Sequence, residues 1–120
     1  MDIGDPQGRT WEPVAAVVDT GSTYSWVPAD VLERLGVERE YSEEFETADD
    51  RVITRDVGHT RVRLEGRTRI TLAVFGDEGS VPLLGAYTLE GFLLAVDPVQ
   101  QRLVPVRGLA KQIRGAPGCT

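Results

Sequence analysis

Asp19 follows directly on the apolar run Val14-Ala15-Ala16-Val17-Val18, and Thr20-Gly21-Ser22 come after it. A carboxylate at the end of a buried strand is costly unless it is hydrogen-bonded, paired or put to use. The small residues behind it let the backbone turn sharply and offer N–H and hydroxyl donors. Far downstream stands a second feature, the apolar pair Leu83-Leu84 followed by Gly85. Hydrolysis of an amide by carboxylates needs two of them, one to take a proton from water and one to hydrogen-bond the carbonyl. Two carboxylates about 3 Å apart cannot both ionise, so they share one proton and their apparent pKa values belong to the pair. This chain has Asp-Thr-Gly only once, and none of Asp2, Asp5, Asp30, Asp49, Asp50, Asp56, Asp77 or Asp97 precedes Thr-Gly or Ser-Gly. Such chemistry therefore requires two chains, each contributing one Asp19 across a twofold axis.

The elements that must position these residues are short. Pro6 to Arg9 reads as a turn between an N-terminal strand and a strand from Trp11 to Val18, whose Val14–Val18 part suits burial on both faces. Pro28 to Gly36 reads as a short helix: Pro28 suits its first turn, Asp30 and Glu33 lie near its positive end, Gly36 ends it, and Val31, Leu32 and Leu35 form its buried side. The acidic run from Glu38 to Asp50 reads as a solvated hairpin arm, with Asp49-Asp50-Arg51 at the tip. Arg61–Leu64 and Arg69–Val74 alternate around the tight turn Glu65-Gly66, which places Val62, Leu64, Ile70, Leu72 and Val74 inward. Val81 to Leu84, Leu93 to Val96 and Leu103 to Val106 read as further strands, and Thr88 to Phe92 as one or two helical turns. Many short strands with one or two short helices predict a mostly β, barrel-like domain over 1–107, with a C-terminal tail over 108–120.

Composition narrows the function. The chain of 120 residues is 41% hydrophobic and 27% charged, which suits one small globular domain. A formal net charge of −6 argues against a nucleic-acid partner. Cys119 is the only cysteine, so no internal disulfide is expected, and His59 is the only histidine, so neither a metal site nor a cofactor is expected. The N-terminus is polar and no apolar run approaches the roughly 18 residues of a membrane helix, so a cytoplasmic protein without a membrane partner is expected.

These residues resemble those of the retropepsin-like, single-domain aspartic proteases, and of their bacterial members in particular. Val17-Val18-Asp19-Thr20-Gly21-Ser22 is similar to that family's signature of two hydrophobic residues, Asp, Thr or Ser, Gly, and Ala or Ser. Pro28 to Leu35 resembles the segment that follows the signature. Leu83-Leu84-Gly85 resembles the structural motif that crosses behind the catalytic loop, and Leu93–Pro98 with Arg102-Leu103 resembles the closing hairpin. The resemblance implies a closed acid-protease β-barrel and a homodimeric endopeptidase that takes an extended peptide or protein substrate. It implies roles by position: Asp19 as the catalytic carboxylate, Thr20 as a brace across the dimer axis, and Gly21 as the point of close backbone approach. Ser22 would donate to the carboxylate and tune its ionisation. Asp49, Asp50 and Arg51 would form the tip of a flap over the substrate, Val81 and Leu83 would line side-chain pockets, and Thr23, Tyr24 and Trp26 would form the opposite wall. Trp26 stands where the family carries an aliphatic residue, the flap tip is charged, and Gly85 precedes Ala86-Tyr87 where viral members carry Arg and Asn or Asp. Those departures keep an alternative open, a retropepsin-fold module that binds or dimerises without proteolysis.

Overall fold

The structure, a computed structural model, describes residues 1–110. Along them run strands β1 (Asp2–Gly4), β2 (Trp11–Pro13), β3 (Val17–Val18) and β4 (Ser25–Pro28), then helix α1 (Ala29–Arg34). Strands β5 (Tyr41–Glu46), β6 (Val52–Leu64), β7 (Arg67–Gly76) and β8 (Leu83–Leu84) precede helix α2 (Ala86–Gly91) and the closing hairpin β9 (Leu94–Asp97) and β10 (Arg102–Pro105). The main sheet has the order β2-β1-β6-β7-β4-β8-β3, with β5 joined to β6, while β9 and β10 pair with each other. The fold is mostly β, as the sequence predicts, with two short helices. The sheet curls into a half-barrel, consistent with the expected acid-protease fold; its pairings run from β2 to β3, and closure is not observed among the described residues. Of the expected tail, 111–120, with Lys111 and Cys119, lies outside the described residues.

Strand β6 organises the domain. The sequence suggests a hairpin tip at 49–51 and a separate strand over 61–64, but the chain runs straight through from Val52 to Leu64. Its first half pairs antiparallel with β5, from Glu46↔Val52 to Tyr41↔Val57, and its second half with β7, from Val57↔Val74 to Leu64↔Arg67. Glu65 and Gly66 join β6 to β7 with φ of 50° and 73°. Two consecutive positive φ values are what a two-residue hairpin turn requires if its twist is to match the strands. At Gly58 the chain entering β5 crosses so tightly that a Cβ would stand 2.1 Å from the Glu38 carbonyl oxygen.

Strand β7 separates two apolar clusters, because successive side chains point to opposite faces. Ala73 and Phe75 join Ile3, Val27, Leu32, Val62, Leu84 and Phe92 in the larger core. Leu72 and Val74 turn the other way, onto Val57, Tyr24, Trp26 and Phe45. Two expectations are thereby corrected. Thr71 to Gly76 are buried without interruption, since β7 lies mid-sheet, and only its outer end is exposed, with Ile70 60% exposed instead of inward. Conversely, the run Val14–Val18 is not one doubly buried strand. It breaks after Pro13, and β3 is an edge strand with Val17 54% and Val18 39% exposed.

Candidate active site

Asp19 stands on a tight turn at the exposed end of β3. Strand β3 lies parallel to β8, with Val17 opposite Leu83 and Val18 opposite Leu84. The pairing continues into the turn, where the Val17 amide donates to the Pro82 carbonyl at 2.9 Å and the Asp19 amide to the Leu84 carbonyl at 2.9 Å. The Ser22 amide closes the turn onto the Asp19 carbonyl at 3.1 Å. The Gly21 amide donates to the Asp19 carboxylate oxygen Oδ1 at 3.0 Å. A side chain at Gly21 would begin 3.2 Å from that same oxygen, so glycine keeps the carboxylate clear. The half-buried carboxylate is thus fixed by backbone and open on its outer side.

Ser22 does something other than expected. Its hydroxyl donates to the Tyr24 carbonyl at 2.7 Å, and a hydroxyl has one proton to give. The donor on the carboxylate is the Gly21 amide, so the tuning role expected of Ser22 is replaced by a structural one.

The motif Leu83-Leu84-Gly85 crosses directly behind this turn. The Ala86 amide donates to the Ser22 carbonyl and the Tyr87 amide to the Thr23 carbonyl, both at 2.9 Å. Gly85 lies so close that a Cβ there would stand 2.4 Å from the Tyr24 carbonyl oxygen and 2.8 Å from that of Ser22. The contact is braced by buried hydroxyls that sequence reasoning missed. Ser25 accepts from the Gly85 amide at 3.0 Å and meets Thr88 at 2.6 Å, and Thr88 meets Thr71 at 2.9 Å. Hydroxyl residues inside otherwise apolar segments were the available signal, since buried polar groups are almost always partnered.

In front of the carboxylate opens a cleft of about 770 Å³. It brings together Asp19, Gly21, Ser22, Thr23, Trp26 and Leu83 of the expected set. Its other wall is the β5–β6 hairpin, through Glu44, Phe45, Glu46, Thr47, Ala48 and Ile53. Phe45 reaches the floor, with its ring edge-on to Trp26 at 5.2 Å and to Tyr24 at 6.0 Å. These hairpin residues were missed because their charge reads as solvated surface. The paired apolar positions Phe45 and Ile53, which face each other in register, were the signal.

Several expected residues lie elsewhere. Thr20 is exposed beside the cleft and does not line it. Tyr24 is packed between Phe45 and Tyr87 rather than on the cleft wall. Val81 is 60% exposed outside the lining, in the segment before β8. Asp49, Asp50 and Arg51 do form the hairpin tip, but they are spent on closing it. Asp50 takes a φ of 61°, the Thr47 hydroxyl donates to the Asp49 carboxylate, and the Arg51 guanidinium meets Asp49 at 2.8 Å. The Thr47 hydroxyl, with Arg51, holds the Asp49 carboxyl below its usual range. At the hairpin's base, Asp56 accepts from Ser42 at 2.6 Å and from Arg39 at 2.9 Å, which hold its carboxyl low in the same way. Among the described residues no helix is long and apolar enough to cross a membrane.

An acidic turn on a strand that a hydrophobic-hydrophobic-Gly segment crosses from behind, under a hairpin arm, defines a domain of the aspartyl protease class. The chain belongs to the family of gag-polyprotein putative aspartyl proteases, which it matches over residues 10–91. No curated protein and no solved structure matches it.

Proposed function

We propose that this chain is one half of a homodimeric aspartic endopeptidase whose two Asp19 carboxylates, one from each copy, activate a water between them. The observation that carries this reading is a single Asp-Thr-Gly turn whose carboxylate is held by the Gly21 amide at 3.0 Å and faces a cleft roofed by a hairpin. Exposure of Val17 and Val18 beside it supports a partner at that edge, since apolar side chains next to a catalytic carboxylate gain from being covered. In the assembled pair the ionised carboxylate takes a proton from water, and the protonated one hydrogen-bonds the substrate carbonyl. The water oxygen bonds to the carbonyl carbon. The tetrahedral adduct then breaks its C–N bond as the nitrogen receives a proton. Thr20, exposed beside the turn, would brace the two loops across the axis. An extended peptide would lie along the free edge of β5 as an added strand.

One observation favours a second reading. Phe45 rests on Trp26 within the cleft, which suits a module that holds the fold without admitting a peptide. Peptide cleavage at mildly acidic pH separates the two. Asp19→Asn should lower cleavage at least about a hundredfold with the fold intact. Turnover near wild type in that variant, or a strict monomer by sedimentation with undiminished activity, overturns the endopeptidase.

A further inference from the structure

We propose that the cleft selects peptides carrying lysine or arginine on either side of an apolar centre, an inference that rests on the reading of the cleft as a peptide site. The apolar part of the lining, Trp26, Phe45 and Leu83 among it, suits the centre of such a peptide. The ionisable part is of one sign. Asp19, Glu44 and Glu46 line the cleft, and no cation lines it among the described residues. Glu44 and Glu46 flank Phe45 on β5 and so project to the face of the hairpin opposite its ring, which sets their charges at the rim of the cleft they help line and not on its floor.

The neighbouring cations do not neutralise them. Between Tyr41 and Val57 the hairpin carries six carboxylates against two arginines. One of those arginines is bound to Asp49 at 2.8 Å, and the other to Asp77 at 3.2 Å. Among the described residues neither Glu44 nor Glu46 takes part in an ion pair. A concave surface of one sign focuses its field and draws in ligands of the opposite sign. Twofold pairing would repeat the two glutamates on the second hairpin, which places the preference on both sides of the scissile bond. Because both side chains are exposed, the preference should weaken as salt is raised.

Binding to Asp19→Asn protein reads this independently of turnover. Two labelled peptides share a Leu-Phe centre; one is flanked by lysines, the other by glutamates. Anisotropy is measured near pH 6.5, where free lysine and glutamate side chains are both charged. The lysine peptide should bind at least about tenfold more tightly at roughly 50 mM salt, with the ratio shrinking at roughly 300 mM. Glu44→Gln/Glu46→Gln in the same background should bring the ratio close to one. Equal affinities, no binding of either peptide, or a ratio that the double substitution leaves unchanged overturns the proposal. Parallel cleavage by wild type keeps the two ideas apart. Preferential binding without cleavage of either peptide sinks the endopeptidase and leaves this selectivity standing, whereas equally efficient cleavage of both does the reverse.

Discussion

Replacing Gly85 by alanine adds one methyl group at the point where the chain crosses behind Asp19. The backbone there is extended, with φ of −94° and ψ of 175°, so alanine meets no dihedral obstacle and the cost is purely steric. The new Cβ would lie 2.4 Å from the Tyr24 carbonyl oxygen, where real Cβ atoms keep beyond 3.0 Å, so one segment must retreat by roughly 0.6 Å. The obstacle is backbone and has no rotamer to escape into. A retreat of that size stretches three hydrogen bonds: Ala86 to Ser22 at 2.9 Å, Tyr87 to Thr23 at 2.9 Å and Gly85 to Ser25 at 3.0 Å. Overpacking costs about 1–3 kcal/mol, and each lost bond about 0.5–1.5 kcal/mol. Because the three bonds are stretched and not all broken, the total lies inside the sum of these ranges, at roughly 3–5 kcal/mol, a large share of the about 5–15 kcal/mol that holds a domain together. Urea unfolding at fixed protein concentration measures it. With a slope of about 2 kcal/mol per molar, the midpoint should fall by about 1.5–2.5 M. Gly91→Ala is the matched control, because nothing stands within 4 Å of its Cβ and it lies in helix α2. That change should be neutral or stabilise by up to about 1 kcal/mol. If Gly85→Ala unfolds within about 1 kcal/mol of wild type, the crossing is not the close contact described, and its role in holding the Asp19 turn falls with it.

Three further outcomes follow from the geometry. Phe45→Ala should cost about 1–3 kcal/mol by removing the half-buried ring from Trp26 and Tyr24, and should speed amide exchange along β5; unchanged exchange would show that this ring does not hold the hairpin down. Ser22→Ala should lower stability by about 0.5–1.5 kcal/mol, because the Tyr24 carbonyl loses its donor, yet leave the basic limb of the kcat/KM pH profile in place; an upward shift of that limb would restore a tuning role to the hydroxyl. Asp56 has a carboxyl lowered from 3.8 by Ser42 and Arg39, so its contribution is full above that value and is lost as pH falls through the lower folded value. The Tm difference between wild type and Asp56→Asn should therefore be present at neutral pH and close in acid below about 3.8, whereas a gap that widens in acid would reverse the assigned sign.

The parts of this domain legible in its sequence are those set by local stereochemistry. Glu65-Gly66 gave its turn because few residues accept two positive φ values, and Pro28 with Gly36 bounded α1 nearly to the residue. What failed was burial, which depends on a strand's place in the sheet and not on its own apolarity. Val17 and Val18 are far more apolar than Thr71, yet they lie exposed at an edge while Thr71 is buried in mid-sheet. The same distinction explains the site. Asp19, Gly21 and Leu83 were readable because a carboxylate that is held yet open demands glycine and a crossing strand. The cleft's second wall was not readable, because Phe45 and Ile53 meet only through the register of β5 on β6, and the acids around them disguise that alternation. Ser22 shows the limit most sharply. Its proximity to Asp19 in sequence suggests a donor to the carboxylate, but the chain turns so tightly that the nearer acceptor is the Tyr24 carbonyl, the same oxygen that leaves no room for a side chain at Gly85. The crossing that needs glycine at position 85 therefore places, beside that glycine, the acceptor that takes the proton of Ser22. Among the described residues the Asp19 carboxylate is left to be held by the Gly21 backbone amide, an arrangement that survives any substitution at Ser22 which preserves the turn.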